Sequence, residues 1–167
     1  MGLSYPMFTV FVFGTLIAPL QAEFGWRRGD ISFALTMTNI GVIIASPLLG
    51  LLIDRYGVRK VLLPSLILMG LTVASMYLLS ADIRHLYLLF FLIPLLGAGT
   101  LPQSYSRVII AWFVRRRGIA LGLTLSGFGV GAMLAPIFMQ YMIENQGWRI
   151  AFIFFSAAIF FIALPMT

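Results

Sequence analysis

Uncharged, mostly apolar stretches alternate with short charged clusters along the whole chain, at residues 1–22, 31–53, 61–81, 86–106, 118–143 and 150–167. They hold 22, 23, 21, 21, 26 and 18 residues. A helix needs about 20 apolar residues to cross a hydrocarbon core of roughly 30 Å, so each stretch is long enough to span, the last only just. Barrel strands would be about half as long and would alternate polar with apolar positions, which these do not. The pattern predicts an all-α membrane protein of six transmembrane helices. Loops this short make consecutive helices antiparallel neighbours, so residues 1–167 are expected to form a single six-helix bundle.

Composition agrees with the pattern. Of the 167 residues, 61% are hydrophobic and 10% charged, against about a quarter charged in soluble domains. That supply cannot build a water-facing shell, and in lipid each segment must close its own backbone hydrogen bonds. The first stretch has the apolar character of a secretory signal, but no basic residue precedes it and no small-residue cleavage pattern lies near Gln21 to Phe24. It is expected to be a retained span. There is no cysteine, which excludes a disulfide framework and a thiolate metal site.

The formal charge of +6 is unevenly placed. Loops carrying Asp54, Arg55, Arg59, Lys60, Arg115, Arg116 and Arg117 sum to +5, whereas Glu23, Arg27, Arg28, Asp30, Asp82, Arg84, Glu144 and Arg149 on the other side sum to zero. Such asymmetry is the positive-inside signal, and it puts both basic loops and both termini in the cytoplasm. The basicity is therefore topological, and no nucleic-acid partner is expected.

Proline falls inside the spans, as at Pro19, Pro47, Pro64, Pro94, Pro102 and Pro136, where a membrane bundle tolerates it. Small residues four apart (Ser46 with Gly50; Gly118, Gly122 and Ser126; Gly127, Gly131 and Ala135) predict close helix packing. The triplet Gly25, Trp26 and Arg27 recurs as Gly147, Trp148 and Arg149, a boundary device of helix-ending glycine, interfacial indole and solvated guanidinium. Gly127, Gly129 and Gly131 sit inside a span, without the strand and helix start that a nucleotide loop requires. All five acids lie at loops or span ends and the lone histidine, His85, lies in a loop. No catalytic or metal constellation can be assembled from them, so neither an enzyme nor a cofactor is expected.

Two loops carry more than a turn and a charge. GLLIDRYGVRK, from Gly50 to Lys60, has Gly50 for close contact, Asp54 at a helix end among bases, Gly57 for a tight turn, and Arg59 with Lys60 at the headgroups. With Arg55 it resembles the signature loop of the major facilitator superfamily. The second, WFVRRRGIALGLTLSG, resembles the signature of monocarboxylate transporters and their oxalate/formate exchanger relatives. Trp112, Phe113, Arg115, Arg116, Ala120, Gly122 and Gly127 fit that signature, while Ile119, Thr124 and Ser126 are near matches. The acidic, glycine and tryptophan motif expected before the first span of the animal members is absent. The resemblance covers the chain as one amino-terminal six-helix half. It implies two three-helix inverted repeats that rock against a second bundle around a midplane site, with the Asp54 loop as a cytoplasmic latch.

Within the spans, Thr100, Gln103 and Arg107 follow one another at spacings of three and four residues, along one helical face. Intramembrane ionisable residues mark substrate pathways, although a long side chain this close to a basic loop also reaches the headgroups. Asn39, one turn after Thr36, is a second polar position. The resemblance then implies a secondary transporter of small organic anions such as monocarboxylates, working by alternating access in the plasma, or bacterial inner, membrane. Arg107 would hold the carboxylate, with Gln103, Tyr105, Thr100 and Asn39 as further cavity candidates. No acidic side chain lies within a span, so this half offers no buried carboxylate for a coupling proton. The missing carboxy-terminal half, or a second copy, would complete the cavity. The alternatives are a non-transporting membrane scaffold or assembly partner and a truncated inactive fragment.

Overall fold

The computed structural model describes residues 9, 12–100 and 117–163, and among these all regular structure is helical. The α-helices are α1 (Phe13–Phe24), α2 (Arg28–Tyr56), α3 (Val58–Ser75), α4 (Ile83–Leu96), α5 (Arg117–Gln146) and α6 (Trp148–Ala158). One α-helix corresponds to each uncharged stretch. Segments Arg28–Tyr56, Lys60–Leu78 and Leu125–Gln146 are long and apolar enough to cross a membrane, and Ile83–Leu96 and Trp148–Phe161 are shorter apolar helices. The surface is that of a protein solvated by lipid. Leu123 is 77% exposed and Phe161 81%, alongside Ile43, Leu51, Met133 and others.

Helix α2 makes its most extensive packing with α4, and its buried positions explain why. Ile31, Ala34, Thr38, Gly41, Ala45, Leu49 and Ile53 recur at helical spacing and form one stripe whose centre is made of small side chains. A Cβ on Gly41 would stand 2.7 Å from the Phe91 carbonyl oxygen and 2.8 Å from Pro94 Cγ, so the backbones meet as closely as glycine permits. Chemistry reinforces the fit. Pro94 has no N–H to return to the carbonyl four residues before it, that of Phe90. The Thr38 hydroxyl faces that carbonyl across the helix pair at 3.2 Å and shares its one proton between it and the Ala34 carbonyl of its own helix, also at 3.2 Å.

Close packing therefore runs through Ala34, Thr38, Gly41 and Ala45, not through the small-residue sets that the sequence suggests. A Cβ added at Gly50, Gly118, Gly122 or Gly127 would meet nothing within 4 Å among the described residues. Ser46 turns its hydroxyl back onto the Val42 carbonyl at 2.7 Å, and of those sets Ala135 is buried. The spacing is correct for a small face, but a small face needs a facing helix, and among the described residues α5 has none over that length.

Helix α3 is the hub, packing on α2, α4 and α6. At Gly70 it receives the Phe160 ring, and Ser156 of α6 donates to the Gly70 carbonyl at 2.9 Å. On its other side Met69 lies against Gly97 and Ser65 against Gly99. There α4 has ended at Leu96, and Ala98–Thr100 forms a 3-10 turn. Leu66, Met69, Val73 and Met76 are the fully buried spine of the core.

If the α2–α4 crossing is set by steric approach, Gly41→Val should cost about 1–3 kcal/mol of stability, whereas Gly14→Ala, at a position with nothing within 4 Å, should be neutral or stabilising. Unfolding midpoints of the two variants in detergent check this, and equal effects would remove Gly41 from its role.

Candidate functional site

The two ends of the bundle are built differently. At the basic end α2 stops at Tyr56 and α3 starts at Val58, leaving Gly57 as a one-residue turn with φ +83°. Its N–H caps α2 by donating to the Ile53 carbonyl at 2.8 Å. A side chain is disfavoured at that backbone angle, so the spacing of glycine and charges in the loop is dictated by geometry. Asp54, Arg55 and Lys60 are all exposed around the turn. Arg55 lies in the last turn of α2, where the helix dipole favours a cation, and its guanidinium stands 5.4 Å from the Tyr56 ring centre. The Arg59 side chain lies outside the described residues.

At the opposite end the two Gly-Trp-Arg triplets come together. Gly25 closes α1 in the left-handed conformation, and Gly147, with φ +88°, is the one residue between α5 and α6. The Phe24 ring lies between the two tryptophans, stacked on Trp26 at 4.5 Å and edge-on to Trp148 at 6.3 Å. Glu23 uses both carboxylate oxygens: one accepts from Trp148 Nε1 at 2.6 Å and the other pairs with Arg149 at 2.5 Å. Arg149 also stands 4.8 Å from the Trp148 ring centre and donates to the Leu79 carbonyl, just after α3, at 3.5 Å. A carboxylate on α1, an indole and guanidinium on α6, and a carbonyl after α3 thus form one polar clamp. The repeat is legible in the sequence, but the acid that joins its two copies is not.

The cavity candidates divide. Arg107, Gln103 and Tyr105 lie outside the described residues, as do Arg115, Arg116 and the Arg117 side chain. Thr100 is fully buried, and its hydroxyl donates to the Gly97 carbonyl at 2.7 Å and lies 3.6 Å from Met69 sulfur. It packs against α3 in a 3-10 turn, where the three-and-four spacing of a continuous α-helix does not hold. Asn39 is exposed on α2, directly after Thr38 in the packed stripe, and Thr36 is exposed as well.

A further shallow groove, unanticipated from sequence, lies open between α1 and α5 with a volume of about 450 Å³. Thr15, Pro136, Ile137, Gln140, Tyr141 and Glu144 line it. Gln140 donates to the Glu144 carboxylate at 2.7 Å, and both are exposed. Their four-residue spacing on one helix is the signal that would have found them.

The sequence that builds these helices and loops matches a known family. The chain belongs to the Major Facilitator Superfamily, whose family profile matches residues 3–167. It is 30% identical over 145 residues to monocarboxylate transporter 6 of Mus musculus, covering 86% of this chain and 30% of that protein. It is 29% identical over 137 residues to monocarboxylate transporter 9 of Rattus norvegicus, covering 80% of this chain and 26% of that one. To the MFS-type transporter opdF of Penicillium oxalicum it is 28% identical over 155 residues, covering 88% of this chain and 36% of that protein. The chain thus spans about a third of the length of the curated relatives it matches. Superfamily and branch are those to which the two loop signatures pointed, and the chain is an integral membrane protein.

The clamp makes a measurable claim. Glu23 and Arg149 are 35% and 38% exposed, so a double-mutant cycle of Glu23→Gln with Arg149→Met should give a coupling of no more than about 1 kcal/mol, weakened by salt. Strictly additive unfolding energies in detergent would mean the pair contributes nothing.

Proposed function

We propose that this chain forms one half of a secondary transporter that moves small organic anions, of the monocarboxylate kind, by alternating access. The names of the relatives support the substrate class, and the share of their length that the chain covers supports the half. Residues 1–167 act as a single six-helix bundle of two inverted three-helix repeats, with the basic loops and both termini in the cytoplasm. A second bundle, either a carboxy-terminal half or another copy of the chain, closes the cavity.

The observation that carries this reading is the surface of α5. Over its 30 residues a Cβ added at Gly118, Gly122, Gly127 or Gly129 would meet nothing within 4 Å among the described residues, and Gln140 is exposed. Small residues let another helix approach closely, and an exposed amide is costly against lipid. Both features fit a surface covered by protein and water. Arg107 then supplies the cation for the substrate carboxylate, with Gln103, Tyr105 and Asn39 as polar contacts. Asp54, Arg55, Gly57, Arg59 and Lys60 form the latch that closes against the second bundle, joined by Arg115 to Arg117. The groove at Thr15, Gln140 and Glu144 is a vestibule at the opposite side.

Uptake of labelled monocarboxylates into proteoliposomes, with the second bundle supplied, tests the assignment. Arg107→Leu should reduce uptake at least tenfold, the loss expected when a charge-assisted hydrogen bond of about 1.5–3 kcal/mol is removed; unchanged uptake would take the binding role from Arg107. Asp54→Asn should lower turnover more than affinity, and equal losses in both would exclude the latch.

A further inference from the structure

A second cavity, of about 480 Å³, lies between α2, α3 and the end of α4. Its floor is Ala45, its walls are Leu48, Leu52 and Leu68, and its mouth is Tyr56 and Lys60. The walls are roughly half-exposed leucines, so the groove opens sideways to the bilayer. From Ala45 to Tyr56 is eleven residues of α2, about 16 Å at 1.5 Å per residue. That is half of a hydrocarbon core of about 30 Å. The groove therefore has the length of one leaflet, from the headgroup level at the basic end to the midplane.

Its chemistry changes once along that length. The inner part is hydrocarbon, whereas the mouth bears the Lys60 ammonium, exposed and without an ion pair among the described residues. Pro64, also on the lining, has no N–H for the carbonyl of Lys60, which leaves that backbone acceptor without its helical donor. Residues 54–60 carry three bases, Arg55, Arg59 and Lys60, against one acid, Asp54. An occupant complementary to all of this has a long apolar tail and an anionic head with a hydroxyl group.

We propose that this groove is a binding site for one acyl chain of an anionic phospholipid of the basic-side leaflet, such as phosphatidylglycerol, with its phosphate on Lys60. The site couples leaflet charge to the loop at Gly57, because the same lysine belongs to the turn that joins α2 to α3. This rests on the membrane reading and not on the identity of the transported anion, so loss of one leaves the other standing.

Native mass spectrometry of the detergent-extracted 167-residue chain, titrated with phosphatidylglycerol or phosphatidylcholine, is the test. Phosphatidylglycerol should bind about fivefold more tightly, the preference that one lysine gives near a charged membrane surface. Lys60→Gln should abolish that preference while phosphatidylcholine still binds. Leu52→Trp, at an exposed position that folding tolerates, should fill the groove and weaken both lipids. Soluble glycerol phosphate should displace neither. Equal binding of the two lipids, indifference to both substitutions, or displacement by glycerol phosphate would each overturn the proposal. So would a Leu68→Cys variant that cross-links in membranes to a second bundle and resists a photoactivatable phosphatidylglycerol.

Discussion

A proline-vacated carbonyl and the hydroxyl that answers it hold this bundle in register. Pro94 cannot return an N–H to the Phe90 carbonyl, and in hydrocarbon no water can substitute, so the group needs a partner from another helix. Thr38 supplies it, and can do so because Gly41, one turn on, lets α4 approach to contact with its backbone. Farther along the same pair, the Tyr87 hydroxyl donates to the Asp30 carbonyl at 2.9 Å, and its ring meets Phe33 edge-on at 5.3 Å. Helices α2 and α4 are thus pinned at mid-depth and at the Gly-Trp-Arg end. Positions of Gly97, Gly99 and Thr100 against Met69 and Ser65 of α3 follow from where α4 is held.

The same economy of partners separates the two ends. At one, Glu23, Trp148, Arg149 and the Leu79 carbonyl satisfy each other across three segments. At the other, Gly57 is a bare one-residue turn, and Asp54, Arg55 and Lys60 project from it. Single glycines join the helices at both ends, at Gly57 and at Gly147, and Asp54, Arg55 and Lys60 are exposed at the basic one. Such a division suits a body that keeps its own shape while its basic face changes partner.

Much of this was legible in the residues. Uncharged runs of 18–26 residues gave the number and order of the helices, because lipid leaves no other solution for the backbone. Helix ends were legible where glycine needs a positive φ, as at Gly57 and Gly147. Which small residues pack was not. Spacing identifies a face, but Gly41 is used and Gly122 is not, because that depends on which helix lies opposite. Thr100 itself lies in the 3-10 turn Ala98–Thr100, and Gln103 and Arg107 lie outside the described residues. The Glu23 clamp was hidden for a different reason. Its partners are 125 residues apart, a separation that no local pattern reports.

The open surface of α5 remains the sharpest constraint on what this molecule is. Lipid solvates leucine and phenylalanine well, and residues such as Leu123 and Phe161 face it at no cost. It solvates an amide or a carboxylate poorly. Gln140, near the outer end of its span, donates one amide proton to Glu144 at the span end at 2.7 Å, which leaves its other amide proton and its carbonyl unmet among the described residues. Asn39 on α2 is exposed in the same way. Groups of this kind are stable within a membrane where water or another protein surface reaches them. A second bundle that left a wet cleft along these helices would satisfy the polar groups and cover the glycines together, whereas a lipid annulus would do neither.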